Sequence, residues 1–469
     1  MLGLFGALDM ASRSLSVQQE EMTLTGQNLA NVSNPSYADE QLVTSQSVPL
    51  PTQIGDEGTG VQMTGITESR NPLLDSQIQA EASTTGSLTA QQTSLQNAEA
   101  YLDEQISSTS SLSVPDSPNG LASDLSNLFN SFQSLSTDPS NLSLRQSAVE
   151  SAQQVTAQFN QVSAQLATVQ ANLNTSVQND VASSNQDLNT IASLNQQIAS
   201  AEAAGGSANQ LVDQREQTLE NLAGLANFST STEANGAINV SIGGVTMVSG
   251  ATATDQLQAY DPGNGQLQVR AQNAGTQITL TGGSISGEIT ARDGALASLQ
   301  SGLNTLASQL ITQVNTIYSA GYDLNGNTGQ DLFTGTDASD IGVNSNVVTD
   351  PSQFQAASVP NAAGDNKVAL GLAQLGNQNV AGLNNQTFSG NYAQTVSSLG
   401  DAISSVNDQL GNSQAVSQML TTDRAATSGV SIDQEMSNLI QYQKAYEASA
   451  EIVTTLNEMM QTAVAMKTV

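Results

Sequence analysis

The sequence predicts a mainly α fold with one or two small β insertions, built around an elongated helical-bundle body with a coiled coil made by the terminal helices. Three observations predict it. At both ends and in long stretches between them, apolar residues recur at alternating steps of three and four, the spacing of a heptad seam. Residues 121–204 contain no glycine and a single proline, Pro139. Residues 228–285 change to period-two alternation between turn dipeptides.

The elements follow in order. Residues 1–34 are expected to be a helix with the seam Leu4, Leu8, Ala11, Leu15, Gln18, Met22, Thr25, Leu29 and Val32, ended by Asn34-Pro35 because the residue before proline avoids the helical region. Residues 37–70 carry Pro49, Pro51 and several glycines and are expected to be irregular to extended. A second helix is expected over 72–112, then a loop over 113–120. Asp138-Pro139 has the form of an N-cap followed by proline at the first helical position. From there a seam runs through Val155, Phe159, Val162, Leu166, Val169 and Leu173, steps by four through Val177 and Val181 like a stutter, and resumes at Leu188, Ile191, Leu194 and Ile198. Residues 208–227 form a short helix.

Ile238, Val240 and Ile242 alternate with Asn239 and Ser241, flanked by Asn235-Gly236 and Gly243-Gly244, so 228–286 is assigned to an inserted β domain. Residues 287–320 return to helix through Leu296, Leu299, Leu303, Leu306, Leu310 and Ile317. Residues 321–390, rich in Gly, Asn and Asp, are expected to be a loop or β excursion. Residues 391–429 form a further body helix along Tyr392, Val396, Leu399, Ile403, Val406 and Leu410. The last helix, within 430–469, carries Leu439, Tyr442, Tyr446, Ser449, Val453, Leu456 and Met460. The body is thus expected in three parts, 36–227, 287–320 and 391–429, with the axial helices 1–35 and 430–469 forming one further domain. A terminal seam diluted by Gln, Thr, Ser and Ala is marginal alone, and its natural partner is the helix at the other end, from this chain or a neighbouring copy.

Composition excludes much chemistry. The 469 residues include no Cys and no His, which removes thiolate nucleophiles, zinc fingers, iron–sulfur ligands, His-ligated metals and imidazole acid–base catalysis. Forty-two acidic residues against ten basic ones leave a net charge of −32, which repels phosphate and argues against nucleic acid as a partner. No apolar run reaches the length of a membrane span, so no membrane insertion is expected. The start lacks the basic region and cleavage site of a secretory signal peptide.

No catalytic, cofactor-binding or metal-ligating residue emerges. Asp323-Leu324-Asn325-Gly326-Asn327 is superficially like a calcium loop, but loop positions 6 and 12 hold Thr328 and Thr334 where glycine and an acid are needed. It is better explained as a glycine-rich turn. Lys444 and Glu447 have the spacing of a helical ion pair. Asp213, Arg215 and Glu216 suit a solvated helix face, with Arg215 able to buttress a neighbour.

The termini carry more than periodicity. Asn28-Leu29-Ala30-Asn31-Val32-Ser33-Asn34-Pro35-Ser36-Tyr37 resembles the N-terminal signature of bacterial flagellar axial proteins, and Leu439 to Ala450 resembles their C-terminal one. In the middle, Leu211-Val212-Asp213-Gln214-Arg215-Glu216 is similar to a segment of the hook-associated protein 1 family. So is Gly321 to Phe333, which includes Asp323, Asp331 and Phe333. The sequence departs from the axial signature at Ser36, where glycine is usual, and at Ala38-Asp39-Glu40, where a basic residue is usual.

The resemblance implies a structural subunit, not an enzyme, joining flagellar hook to filament in the extracellular flagellum. It implies no cofactor, export in unfolded form by the flagellar type III route, and terminal helices that are mobile in the free monomer and form their coiled coil on assembly. The implied partners are copies of itself in a ring, the hook protein, the second junction protein, and a cytosolic export chaperone that takes the C-terminal helix. The second junction protein or a hook protein is the nearest alternative identity; an enzyme carried on an axial scaffold is a remote one.

Overall fold

The computed structural model describes residues 3–52, 55–102 and 120–467. The chain is mostly helical, with small antiparallel sheets between the helices. Helix α1 (Leu4–Ala30) leads into a ribbon in which β1 (Glu40–Gln46) pairs with β4 (Val61–Glu68), bulged at Val43/Thr44, and β2 (Leu50–Thr52) pairs with β3 (Gly55–Glu57). Helix α2 (Pro72–Leu102) follows, then α3 (Leu121–Thr137), α4 (Leu142–Ala203) and α5 (Asn209–Leu225). At 62 residues α4 is about 93 Å long at ~1.5 Å per residue and forms the spine of the body.

The β insertion is a four-stranded antiparallel sheet of β5 (Ser229–Thr232), β6 (Ile238–Ile242), β7 (Val245–Ser249) and β8 (Thr252–Ala253), beside the hairpin β9 (Leu257–Tyr260) and β10 (Gln268–Ala271). Helix α6 (Gly283–Ala291) passes through one π turn at Arg292–Leu296 into α7 (Ala297–Tyr318). The short pair β11 (Phe333–Thr334) and β12 (Gly342–Val343) precedes α8 (Ser345–Thr349) and α9 (Lys367–Leu375). The long helices α10 (Phe388–Thr427) and α11 (Ile432–Lys467) complete the chain.

Two hydrophobic cores explain the seam along α4. Val155 to Leu173 bury into a core shared with α2, α3, α7, α9 and α10, whereas Val177 to Ile191 bury against the β insertion, α5 and α6. The stutter at Val177 and Val181 lies where α4 passes from one core to the other. A step of four in place of three shifts the apolar stripe around the helix at the point where its partners change.

The structure differs locally from the sequence expectations. Helix α1 stops at Ala30, and the turns that follow it are closed by the Asn34 and Tyr37 amides, which donate to the Asn31 and Asn34 carbonyls. The N-cap of α4 is Asn141, whose Oδ1 accepts from the Ser143 and Leu144 amides at 2.9 and 3.4 Å, and Asp138 instead holds the Ser140 hydroxyl at 2.8 Å. Pro139 sits in the preceding turn, where its carbonyl accepts from buried Arg145 at 2.7 Å. The segment 37–70 is an ordered ribbon over its described part. Residues 321–390 contain helix α9, too short and too uniformly apolar to show a period, and they bury Leu332, Phe333, Phe354, Leu372 and Leu375 in the main core. The expected extension of the second helix past Leu102 and most of the following loop lie outside the described residues.

Candidate functional site

Helices α1 and α11 lie along each other within a single chain. The hydroxyls of Ser14 and Ser449 meet at 3.2 Å, and Asn28 donates to Glu435 at 3.3 Å, so α11 runs backward as α1 runs forward. Ala11 is buried; Leu4, Leu8, Leu15, Met22 and Leu29 are half-buried, as are Leu439, Tyr442, Val453, Leu456 and Met460. Tyr446 stays 37% exposed at the margin of the seam. The Tyr442 phenol is pushed above its usual range by burial and by the charge of Glu21 on α1. Sequence reasoning missed Val17 and Leu24, both buried on α1. They stand one heptad apart in a second row, and α1 has a second partner in the β1–β4 ribbon, so it buries two faces.

Asn28 is the hub of this unit. Its amide donates to the Glu40 carbonyl and to Asp39, both at 2.9 Å, and its oxygen accepts from the Tyr37 hydroxyl at 2.7 Å and the Glu40 amide at 3.2 Å. One buried side chain thus ties α1, its following turn, β1 and α11 together. Burial, then the Glu40 carboxylate, pushes the Tyr37 phenol well above its usual range and keeps it a hydrogen donor. Asn31 is half-buried in the turn, and its side chain donates back to the Gln27 carbonyl at 3.0 Å. The departure at Ser36 has a local use: its hydroxyl donates to Gln217 of α5 at 2.6 Å.

The link from this unit to the body is Arg70, between β4 and α2. Its guanidinium donates to Glu68 and Asp75 at 3.1 Å, to the Ser36 carbonyl at 3.0 Å, and to Asp213 of α5. Burial raises the Asp213 carboxyl to about 6, against the opposing pull of an arginine shared with two other acids. Two residues on, Arg215 donates to the Gly236 carbonyl at 2.7 Å and to Asn195 at 3.3 Å. The pair expected on a solvated face is therefore buried.

Three asparagines on α4 hold the β insertion by its backbone. Asn174 bonds the Gly265 carbonyl and Leu267 amide at 2.9 and 3.1 Å, and Asn185 bonds both groups of Leu257 at 2.8 Å. Asn195 donates to Ile238 and Gly250 carbonyls at 2.7 Å and accepts from the Ile238 amide at 3.2 Å. A carboxamide offers one donor side and one acceptor side, as a peptide group does, so each stands in for a neighbouring strand. Asn195→Ala should therefore cost about 2 kcal/mol by orphaning buried backbone groups. Amide exchange at Ile238 should speed up while α10 keeps its protection.

Asp323 is buried, and its carboxylate accepts from the Asn325 and Asn327 amides at 2.8 Å and the Asn327 side chain at 2.9 Å, which makes it a turn anchor. Phe333 is buried in the core, whereas the Asp331 side chain is exposed and its carbonyl accepts from Asn344 at 2.9 Å. Lys444 and Glu447 form their pair at 2.7 Å on the exposed side of α11. Among the described residues no group of acidic side chains is placed to hold a metal ion, and no helix is long and apolar enough to cross a membrane.

Residues 110–333 match the flagellar hook-associated protein FlgK helical domain, and residues 423–466 match the flagellar basal body rod FlgEFG protein C-terminal family. Flagellar hook-associated protein 1 of Bacillus subtilis is 27% identical over 98% of this chain and 98% of its own. Along nearly its whole length, therefore, the chain is similar to flagellar hook-associated protein 1. The family member of Salmonella typhimurium is 23% identical over 96% of this chain and 98% of its own. The solved flagellar hook junction protein FlgK from Burkholderia pseudomallei shares the fold, with a TM-score of 0.63 at 18% identity, over 75% of this chain and 100% of that one. In this chain the Ser36 carbonyl, within the N-terminal signature, and the Asp213 carboxylate meet at Arg70.

Proposed function

We propose that this protein is a structural subunit joining the flagellar hook to the filament, and that it polymerises through its α1–α11 pair. In this reading residues 1–35 and 430–469 form the inner tube, the body around α4 forms the next shell, and residues 228–286 face outward. Copies of the chain form a ring between the hook protein and the second junction protein. The chain leaves the cytoplasm unfolded, and an export chaperone holds the C-terminal helix beforehand. That helix is then used twice, with Leu439, Tyr442, Tyr446, Val453, Leu456 and Met460 facing first the chaperone and later the tube.

The observation that carries this reading is the apolar surface left on the outer side of the helix pair. Ile452, Met459 and Met466 follow at heptad spacing on α11 and are all more than half exposed, as are Ile440 and Val464, with Phe5 on α1. Such a row on a surface helix suits another helix. A chain of net charge −32 needs neutral contacts between its copies.

Two variants test it. Leu439→Ser/Tyr446→Ser should lose both chaperone binding and growth of the junction on isolated hooks. Ile452→Ser/Met459→Ser should keep the monomer's helical circular dichroism and yet fail to assemble. Assembly by either variant at the parental rate overturns the reading. Limited proteolysis of monomer and assembly should show the two termini cut more slowly in the assembly, where the exposed row on α11 is also covered.

A further inference from the structure

The segment Leu211 to Glu216 sits where two units of the chain meet the body. Asp213 and Arg215 are two residues apart on α5, so their side chains point about 200° apart around the helix. Asp213 faces the Arg70 guanidinium, which also carries the Ser36 carbonyl of the terminal unit. Arg215 faces the other way, to the Gly236 turn of the β insertion and to Asn195. Polar contacts run from Glu435 on α11 through Asn28 to Tyr37, from the adjoining Ser36 carbonyl across Arg70 to Asp213 on α5, and, two residues along α5, from Arg215 through Asn195 to β6; the backbone at 36–37 and 213–215 links the three sets.

We infer that Asp213 and Arg215 are positioning residues: a two-sided clasp that makes docking of the terminal helix unit and ordering of the β insertion mutually dependent. Two features give the clasp this property. First, α5 cannot slide to relieve one side, because Gly86 of α2 lies against the Gly224 carbonyl with no room for a side chain. Second, both guanidiniums are largely buried, Arg70 among three acids and Arg215 beside Glu216, and a buried charge is tolerated only with its partners in place. If the terminal unit swings away it takes the Ser36 carbonyl and the grip of Arg70 with it. Asp213 is then left buried without its cation, and the first turns of α5, which hold Arg215 on the β insertion, lose their support. Coupling needs such a contiguous network with a shared rigid element, and here α5 is that element.

The test is hydrogen exchange of the full chain, read by mass spectrometry, for Arg70→Met and Arg215→Met. Arg70→Met should accelerate exchange roughly fivefold or more both in residues 37–46 and, across the body, in residues 238–249. Arg215→Met should do the same in the opposite direction. Arg70→Lys should not restore the parental pattern, because an ammonium cannot hold the Ser36 carbonyl and the carboxylates in one planar fork. Asp213→Asn, which preserves volume, should give the same two-sided pattern at smaller amplitude, and it serves if Arg70→Met does not fold. Effects confined to the side of each substitution, or full rescue by lysine, overturn the inference.

Discussion

Replacing Gly287 by alanine is expected to destabilise the body by about 3 kcal/mol, although the same change in an open helix stabilises it by about 1 kcal/mol. Gly287 lies in α6 where that helix crosses α2, and a Cβ there would overlap the Ser87 carbonyl. The overlap is with backbone, so no rotamer relieves it; α2 or α6 must move. Neither is free, since the adjacent Gly86 of α2 already touches Gly224 of α5 on the other side. Residues 86–87 are thus held between two helices at near-backbone contact. The control is Gly411 in α10, exposed and with nothing near a built Cβ, where alanine should raise stability by about 1 kcal/mol. Thermal unfolding of the two variants should therefore move in opposite directions, the first by a drop of roughly 5 °C. Two shifts of the same sign would show that the α2–α6 crossing has slack.

The next residue gives the second large effect, read against pH. Glu288 is buried beside Asp180, and its carboxyl is raised from 4.5 to about 8, first by burial and then by the Asp180 charge, against the pull of Ser176 and Arg292. The folded protein therefore keeps a proton that the unfolded chain releases. Below pH 4.5 both states are protonated and Glu288 costs nothing. Between 4.5 and about 8 stability falls by up to ~1.4 kcal/mol per pH unit, and above about 8 the loss is complete. Glu288→Gln removes the titration and keeps the shape. It should match the parent at pH 4, below both values, and exceed it by roughly 2–4 kcal/mol at pH 8.5. A constant difference between the two proteins across that range would refute the assignment. The comparison with the parent is needed because Asp213, also raised by burial, contributes a slope of the same sign at lower pH.

Both predictions concern residues that no sequence pattern marks. A glycine in a helix and a glutamate beside it look like a weak spot and a surface charge, and only the crossing of α2 and α6 gives them their roles. The same holds for Arg70, which no motif covers and which joins the N-terminal signature to Asp213. Val17 and Leu24 were open to sequence reasoning as a second heptad row, but the first row already accounted for a coiled coil, and the ribbon, the second partner of α1, is far weaker in pattern.

What the sequence by itself determined was everything that depends on local spacing. The seams on α1, α4, α10 and α11, the turn dipeptides around β6, and the exclusion of thiol and imidazole chemistry follow from which residues recur at which interval. Helix α4 even records, in the stutter at Val177 and Val181, the point where it changes cores. What only the tertiary structure decided was which chemically ordinary residues become joints. Asn174, Asn185 and Asn195 lie on α4 among many other amides, and Arg215 lies on a helix of ordinary polarity. Their roles come from partners 20 to 93 residues away, most of them backbone groups that need a bond once buried. That need arises from folding and leaves no period in the chain.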